Sequence, residues 1–394
     1  MLKGLVGRVS VFLLGAAVLT ALLGLVMPLP APAAVASPPP GLPAKTVNLD
    51  WPAYGQSAIG AQGYGLLVQH GKTSPAPTAS IAKIITILAV LKKKPLGTNS
   101  SGPTITLGQS DVNAYIMYLR DDGSVVPVQA GEKITERQMI EAMMLPSANN
   151  MAYSLVMWAF GSLNAYNSYA NRFVKTLGMT HTTIADASGF SPHTTSTADD
   201  LVRLGLAAMN NPALARIMYE SSANLPIAGT IYNTNRLLGT DDIVGIKTGN
   251  TDQAGGCFLF AAKHTVQGKH LTIVGGIMSA PNLDTAELNA RTLLASVDKN
   301  FKHYVVVPAN MNVGAYTTKW GQRTTVATKS DVSLLVWQGQ PVTIKETLSK
   351  IKLPIGAHKT VGRLSAIFGG QTASVQLINK SPLKSPTTAW RLVR

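Results

Sequence analysis

Ser80 and Lys83, three positions apart, are the first residues of this 394-residue chain whose types and spacing could do chemistry. They stand in Thr78-Ala79-Ser80-Ile81-Ala82-Lys83, ahead of an apolar run from Ile84 to Leu91 that is closed by Lys92-Lys93-Lys94-Pro95. A run stopped first by charge and then by a proline ring reads as a buried helix with Ser80 near its N-terminus. Residues three apart share a helix face, so Lys83 can fold back onto the Ser80 hydroxyl. A serine hydroxyl is a weak nucleophile until a base takes its proton, and lysine becomes that base when burial or a second cation lowers its pKa. The pair alone is also satisfied by an N-capping serine beside a lysine snorkelling from a core helix.

Two further polar clusters follow at element ends. Thr135-Glu136-Arg137-Gln138 matches a capping box and opens a helix that turns Met139, Ile140, Met143 and Met144 inward and ends at Pro146. Ser147-Ala148-Asn149 comes next, ahead of a helical run from Met151 to Phe160, which sets Ser147 and Asn149 on the bend. Asn149 reads equally well as a helix cap. Downstream, Ile243 to Gly249 and Cys257 to Ala262 read as two strands joined by a glycine-rich turn, with Lys247 and Thr248 at the strand end. A strand-edge lysine commonly guards against aggregation, whereas Gly249 lets a substrate backbone lie against the strand.

The elements that must position these clusters are legible in outline. Tyr64 to Gln69 predicts a strand, and His70-Gly71-Lys72 a turn toward the Ser80 helix. Asp122-Gly123 predicts a hairpin turn before Val125-Val126-Pro127-Val128. Thr197-Ala198-Asp199-Asp200 caps a helix that runs through Met209 and stops at Asn211-Pro212. After Asp298 the text changes to short strand-like runs, Val305 to Val307, Val332 to Val336, Val342 to Ile344 and Val375 to Ile378, consistent with a small β-sandwich.

Composition bounds the function. The net charge is +15, and thirteen of the basic residues against two acidic ones fall from Phe301 onward, which leaves only +4 for everything before. Such a bias suits an anionic lipid or wall polymer, or simply a solvated basic surface. The basic residues are scattered singly through a β-like region without a recognition helix, which argues against nucleic acid. One cysteine, Cys257, excludes an internal disulfide framework, and the seven histidines form no ligand pair at helical spacing with a nearby carboxylate. Lys3 and Arg8 before an apolar segment from Val9 to Met27, then Ala34-Val35-Ala36, describe an export signal or an uncut membrane anchor. The expected organisation is 1–36 signal or anchor, 37–48 Pro/Ala linker, 49–298 catalytic domain and 299–394 basic β-rich domain.

Ser-x-x-Lys, Ser-x-Asn and Lys-Thr-Gly in this order resemble the serine penicillin-recognising enzymes, and most closely the low-molecular-mass D-alanyl-D-alanine carboxypeptidases of peptidase family S11. Met144 to Asn150, Asp186 to Ser191 and Gly245 to Thr251 also look like that family's text, so the resemblance spans roughly Trp51 to Asp284. It implies an α/β (α+β) fold of the β-lactamase/transpeptidase type, a sheet flanked by helices, with a small C-terminal β-sandwich. It implies that Ser80 attacks the carbonyl between two terminal D-alanines of a peptidoglycan stem peptide. Lys83 would act as base, Ser147 as a proton relay, and Asn149, Lys247, Thr248 and Gly249 would bind substrate. The oxyanion hole would be the backbone amides of Ser80 and Asn250. No metal or organic cofactor is implied, β-lactams are the implied inhibitors, and the setting is the outer face of the cytoplasmic membrane or the wall. A β-lactamase shares the motifs, but the one Glu-x-Leu-Asn-like text, Glu287-Leu288-Asn289, falls after Lys-Thr-Gly with the wrong spacing. A wall-binding scaffold on a retired catalytic domain is the non-enzymatic alternative.

Overall fold

The computed structural model describes residues 15, 18–20 and 22–393; the charged start of the expected export segment lies outside them. The chain divides into two compact units. One comprises Lys45–Lys302 with Trp337–Gly339; the other gathers the described residues up to Ala44, His303–Val336 and the chain from Gln340 on.

The first unit is built on a five-stranded antiparallel sheet of β1 (Gln56–Ala61), β2 (Gly65–Gly71), β3 (Ile243–Thr251), β4 (Gly255–Val266) and β5 (Lys269–Ala280), in the order β3-β4-β5-β1-β2. Its helices include α1 (Ala82–Lys93), α2 (Gln109–Arg120), α3 (Glu136–Met144), α4 (Asn149–Phe160), α5 (Leu163–Thr176), α6 (Ala198–Met209) and α7 (Leu283–Ala295). This is the expected sheet flanked by helices. Every residue of α1 from Ala82 to Leu91 is buried, as its all-round apolar sequence requires. The α3 capping box forms: Thr135 Oγ1 accepts from Gln138 N at 3.2 Å, and Thr135 N donates to Gln138 Oε1 at 3.1 Å.

Several expectations are corrected. Asp122-Gly123 does not join a hairpin; it follows the C-terminus of α2, and Val125 to Val128 form no strand. That helix escaped notice because only Ala114 and Tyr118 on it are buried, while Ile116, Met117 and Leu119 face solvent and blur the pattern. His70 and Gly71 continue β2 instead of turning. Pro212 does not merely stop a helix but begins another, Pro212–Met218, where its missing N–H costs no hydrogen bond. Lys247, Thr248 and Gly249 lie in the middle of β3, and the turn to β4 comes later, around Asp252-Gln253-Ala254.

The second unit is a β domain. Its six-stranded sheet runs Ala33–Ala36, Asn312–Thr317, Arg323–Thr328, Gln371–Asn379, Thr360–Phe368 and Thr343–Leu348, over buried Val313, Tyr316, Val326, Leu364 and Leu377. Ala33–Ala36, part of the export-site text, thus forms the edge strand against Asn312–Thr317. Among the described residues no helix is long and apolar enough to cross a membrane.

Candidate active site

The Ser80 backbone is set by a 3-10 turn, Ala79–Ile81, that runs directly into α1. Ala79 has φ +45°, a strained value for a non-glycine residue, and its carbonyl presses on Gly189. A Cβ on Gly189, itself at φ +75°, would stand 1.8 Å from Ala79 O. On the other side the edge strand β3 lies against the turn, and a Cβ on Gly249 would come 3.1 Å from Ser80 N. The Ser80 turn is therefore clamped between two glycines distant in sequence.

Lys83 is fully buried, and its Nζ has three partners: Ser80 Oγ at 2.7 Å, Asn149 Oδ1 at 2.7 Å and Ser188 O at 3.1 Å. Burial lowers the Lys83 pKa well below its ordinary value, the nearby Lys247 charge lowers it further, and Asp186 opposes both. A neutral amine has two N–H groups and one lone pair. Asn149 Oδ1 and the Ser188 carbonyl can only accept, so they take both N–H groups and leave the lone pair for the Ser80 hydroxyl. That is the geometry of a general base.

The Ser188 carbonyl was not foreseen. It is aimed by Asp186, whose Oδ2 accepts from Ser188 N (3.1 Å), Ser188 Oγ (2.8 Å) and Phe190 N (3.0 Å), while Oδ1 accepts from Thr194 Oγ1 (2.5 Å). The Asp-x-Ser-Gly spacing that makes this Asx-type loop was the available signal.

Asn149 is the first residue of α4, not its cap, and its side chain serves Lys83. Ser147 sits at φ +66° just before it, and its buried Oγ has no protein partner among the described residues. The hydrogen bonds of Lys83 do not reach Ser147. Lys247 is 2 % exposed, donates to Thr248 O at 3.1 Å, and has its pKa lowered to about 7 by burial. Thr248 Oγ1 lies 3.0 Å from Thr234 Oγ1, a second hydroxyl that belongs to none of the three sequence motifs. Asn250 lines, together with Ser80 and Asn149, a cavity of about 540 Å³. Cys257 is buried in β4, with its thiol pushed up to about 11 by burial, an inert core residue.

Elsewhere His181, Asp199 and Asp200 bring ligand-type atoms within 4.8 Å of one another. Arg203 shares that cluster at 3.7 Å from both carboxylates, and Asp200 is occupied by His181 N and Thr182 Oγ1 at 2.8 Å each.

Comparison with known proteins places this arrangement. The chain is 31% identical over 239 residues to a D-alanyl-D-alanine endopeptidase of Pseudomonas aeruginosa, covering 58% of this chain and 73% of that protein. It is 24% identical over 307 residues to the D-alanyl-D-alanine carboxypeptidase DacD of Salmonella typhimurium, covering 75% and 76%. The crystal structure of the D-alanyl-D-alanine carboxypeptidase DacD from Francisella tularensis shares the fold, with a TM-score of 0.60 at 21% identity over 87% of this chain and 96% of that one. The family model for D-alanyl-D-alanine carboxypeptidase, peptidase family S11, matches residues 58–282, from β1 past the end of β5 and with Ser80, Asn149 and Lys247 inside it. More than half of the chain thus carries the family's pattern around a serine paired with a buried lysine, and the protein belongs to the serine-type D-alanyl-D-alanine carboxypeptidases of family S11.

Proposed function

We propose that this enzyme removes the terminal D-alanine from peptidoglycan stem pentapeptides through an acyl-enzyme on Ser80. The observation that carries the reading is the 2.7 Å approach of Lys83 Nζ to Ser80 Oγ, with two acceptors holding the other sides of the amine. Lys83 takes the hydroxyl proton as Ser80 Oγ attacks the carbonyl between the two D-alanines. The oxyanion is received by the backbone amides of Ser80 and Asn250, donors of a kind whose loss typically costs ~10²–10³ in rate. The proton taken by Lys83 is returned to the leaving amine, with Ser147, whose Oγ has no protein partner among the described residues, as the relay once bound substrate bridges it to Lys83, and D-alanine departs. Water then attacks the ester and regenerates Ser80.

Selection for a free C-terminus falls to Lys247, Thr248 and Thr234. An arriving carboxylate favours the charged form of Lys247 and offers acceptors to both hydroxyls. Gly249 allows the peptide backbone to lie along the edge strand β3. β-Lactams acylate the same serine. The basic C-terminal unit is proposed to face an anionic wall or lipid surface, and the chain to work outside the cytoplasmic membrane.

The test is mass spectrometry of products from a stem pentapeptide, together with labelling by penicillin. Release of D-alanine and labelling should both vanish in Ser80→Ala; labelling that survives there overturns the assignment. The name of the Pseudomonas relative favours a second reading, endopeptidase cleavage of cross-linked peptides, in which the leaving amine belongs to a neighbouring stem. A cross-linked dimer in the same assay distinguishes the two.

A further inference from the structure

Thr86 stands one turn after Lys83 on α1 and, like Lys83, is fully buried, in a run that is otherwise apolar from Ile84 to Leu91. It faces Tyr166 of α5, also fully buried, with the two hydroxyl oxygens 2.6 Å apart. Valine and phenylalanine would fill the same two places without a polar group to desolvate, so packing alone gives no reason for a hydroxyl at either. Their common destination is a backbone carbonyl. Thr86 Oγ1 donates to Ala187 O at 2.7 Å. A carbonyl can only accept, so the Thr86 proton is committed to it and Tyr166 must donate to Thr86. The bonds therefore run one way, from Tyr166 through Thr86 to Ala187, and each strengthens the next.

Ala187 immediately precedes Ser188, whose carbonyl accepts from Lys83 Nζ at 3.1 Å. Residues three apart share a helix face, so Lys83 and Thr86 hold two successive carbonyls of one loop from one side of α1. α5 fixes the chain that enters this loop. Asn171 accepts from Ile184 N at 3.0 Å and donates to Ile184 O at 2.8 Å, and Asn167 Nδ2 donates to Ala185 O at 2.8 Å. The peptide unit between Ala187 and Ser188 is gripped at both ends, its carbonyl by Thr86 and its N–H by Asp186 Oδ2. From that fixed plane only the two soft dihedrals of Ser188 lead to the carbonyl that Lys83 uses.

Accepting the proposed acyl-enzyme reading, in which Lys83 is the base, the aim of its lone pair depends on that carbonyl. With Asn149 and Ser188 each taking one N–H, the lone pair falls to Ser80. With the Ser188 carbonyl turned away, the amine is free to present an N–H to Ser80 instead. We infer that Thr86 and Tyr166 are positioning residues for acylation, holding the Ala187–Ser188 peptide so that the Ser188 carbonyl keeps the Lys83 lone pair on Ser80. Neither residue lines the cavity over Ser80, so their effect falls on the covalent step and not on the binding that precedes it.

The test follows acylation by labelled penicillin over a range of concentrations, which separates the rate constant of the covalent step from the affinity of the complex before it. Thr86→Val keeps the side-chain shape and removes the hydroxyl; the covalent step should slow by roughly tenfold to a hundredfold, the scale of a misplaced reacting group, with affinity unchanged. Thr86→Ser returns a hydroxyl to the same Cβ and should recover most of the lost rate. Because Thr86→Val strands the Tyr166 hydroxyl, the double variant Thr86→Val, Tyr166→Phe, which removes both, keeps the question answerable should the single variant fold poorly. Both residues act through one carbonyl, so the double variant should be no slower than Thr86→Val. An unchanged covalent step in Thr86→Val or in the double variant, a loss that lies wholly in affinity, or no recovery in Thr86→Ser overturns the inference. An unmodified protein that penicillin does not label overturns the acyl-enzyme reading and this inference with it, whereas labelling that is equally fast in all the variants counts against the positioning role alone.

Discussion

Gly249 lies so close to Ser80 that a methyl group on it would stand 3.1 Å from the Ser80 backbone nitrogen and 3.0 Å from the Ala79 Cβ. Both neighbours belong to the 3-10 turn that carries Ser80, so neither can yield without moving the Ser80 amide that we assign to the oxyanion hole. Gly249→Ala is expected to lower kcat/KM by roughly tenfold to a hundredfold, the scale of a misplacement below 1 Å in a positioned reaction. Thermal unfolding should change little, because Gly249 does not need a positive φ. A variant that unfolds several degrees earlier and loses activity in proportion would show that the glycine serves packing instead.

Burial drives the Lys83 pKa well below its ordinary value, at a cost to the fold. A methionine of similar length would fill the same space without an amine to desolvate, although it would leave Asn149 Oδ1 and the Ser188 carbonyl without their donor. Those two effects oppose, so Lys83→Met should leave the melting temperature within a few degrees of the unmodified protein. Acylation by penicillin should meanwhile fall by at least ~10², the usual contribution of a positioned general base. Stopped-flow labelling and calorimetry on the same preparation check both halves, and undiminished acylation would remove Lys83 from the mechanism.

The pH profile follows from the two lysines. Lys83 must be neutral to accept a proton, and burial sets its pKa well below the ordinary value, so activity rises on the acid side as it deprotonates. Lys247 must be charged to hold a carboxylate, and its pKa is about 7, so kcat/KM should decline as pH rises past about 7. The profile is a bell whose limbs belong to the coupled pair. Lys247→Arg keeps a positive charge at every accessible pH and should push the alkaline limb upward, whatever it does to the maximum. An alkaline limb that stays in place in the arginine variant would assign it to another group.

What could be read from the sequence was what is local. The Ser80–Lys83 spacing, the Thr135–Gln138 capping box and the closure of α1 at Lys93 depend on residues within a turn of one another, and the structure has them as the spacing dictates. What eluded the sequence was set by partners distant along the chain. The Ser188 carbonyl reaches Lys83 across 105 residues, so its role is invisible in the Asp186 to Ser191 text alone. Asn149 had two readings because a cap and a lysine ligand need the same amide; only the burial of Lys83 beside it decides. Lys247 and Thr248 read from the sequence as a strand end before a glycine-rich turn, yet pairing of Gly249 with Cys257 and Asn250 with Gly256 carries the strand on to Thr251. Thr234 stands in no motif, and its place beside Thr248 follows from tertiary packing.

Ala33, Ala34, Val35 and Ala36 pair antiparallel with Thr317, Tyr316, Ala315 and Gly314, and Ser37 N adds a bond to Val313 O at 2.7 Å. A cut after Ala36, where the small-x-small text invites an export peptidase, would strip this strand and leave Asn312–Thr317 as an unpaired edge. Protein beginning at Ser37 is therefore expected to melt a few degrees lower than protein beginning at about residue 28, and to aggregate more readily through the exposed edge. Calorimetry and light scattering on the two proteins check this. N-terminal sequencing of the protein recovered from outside the cytoplasmic membrane, where we propose that it works, should correspondingly find Ala33–Ala36 retained. Identical melting and solubility of the two forms would mean that the strand adds nothing to its sheet.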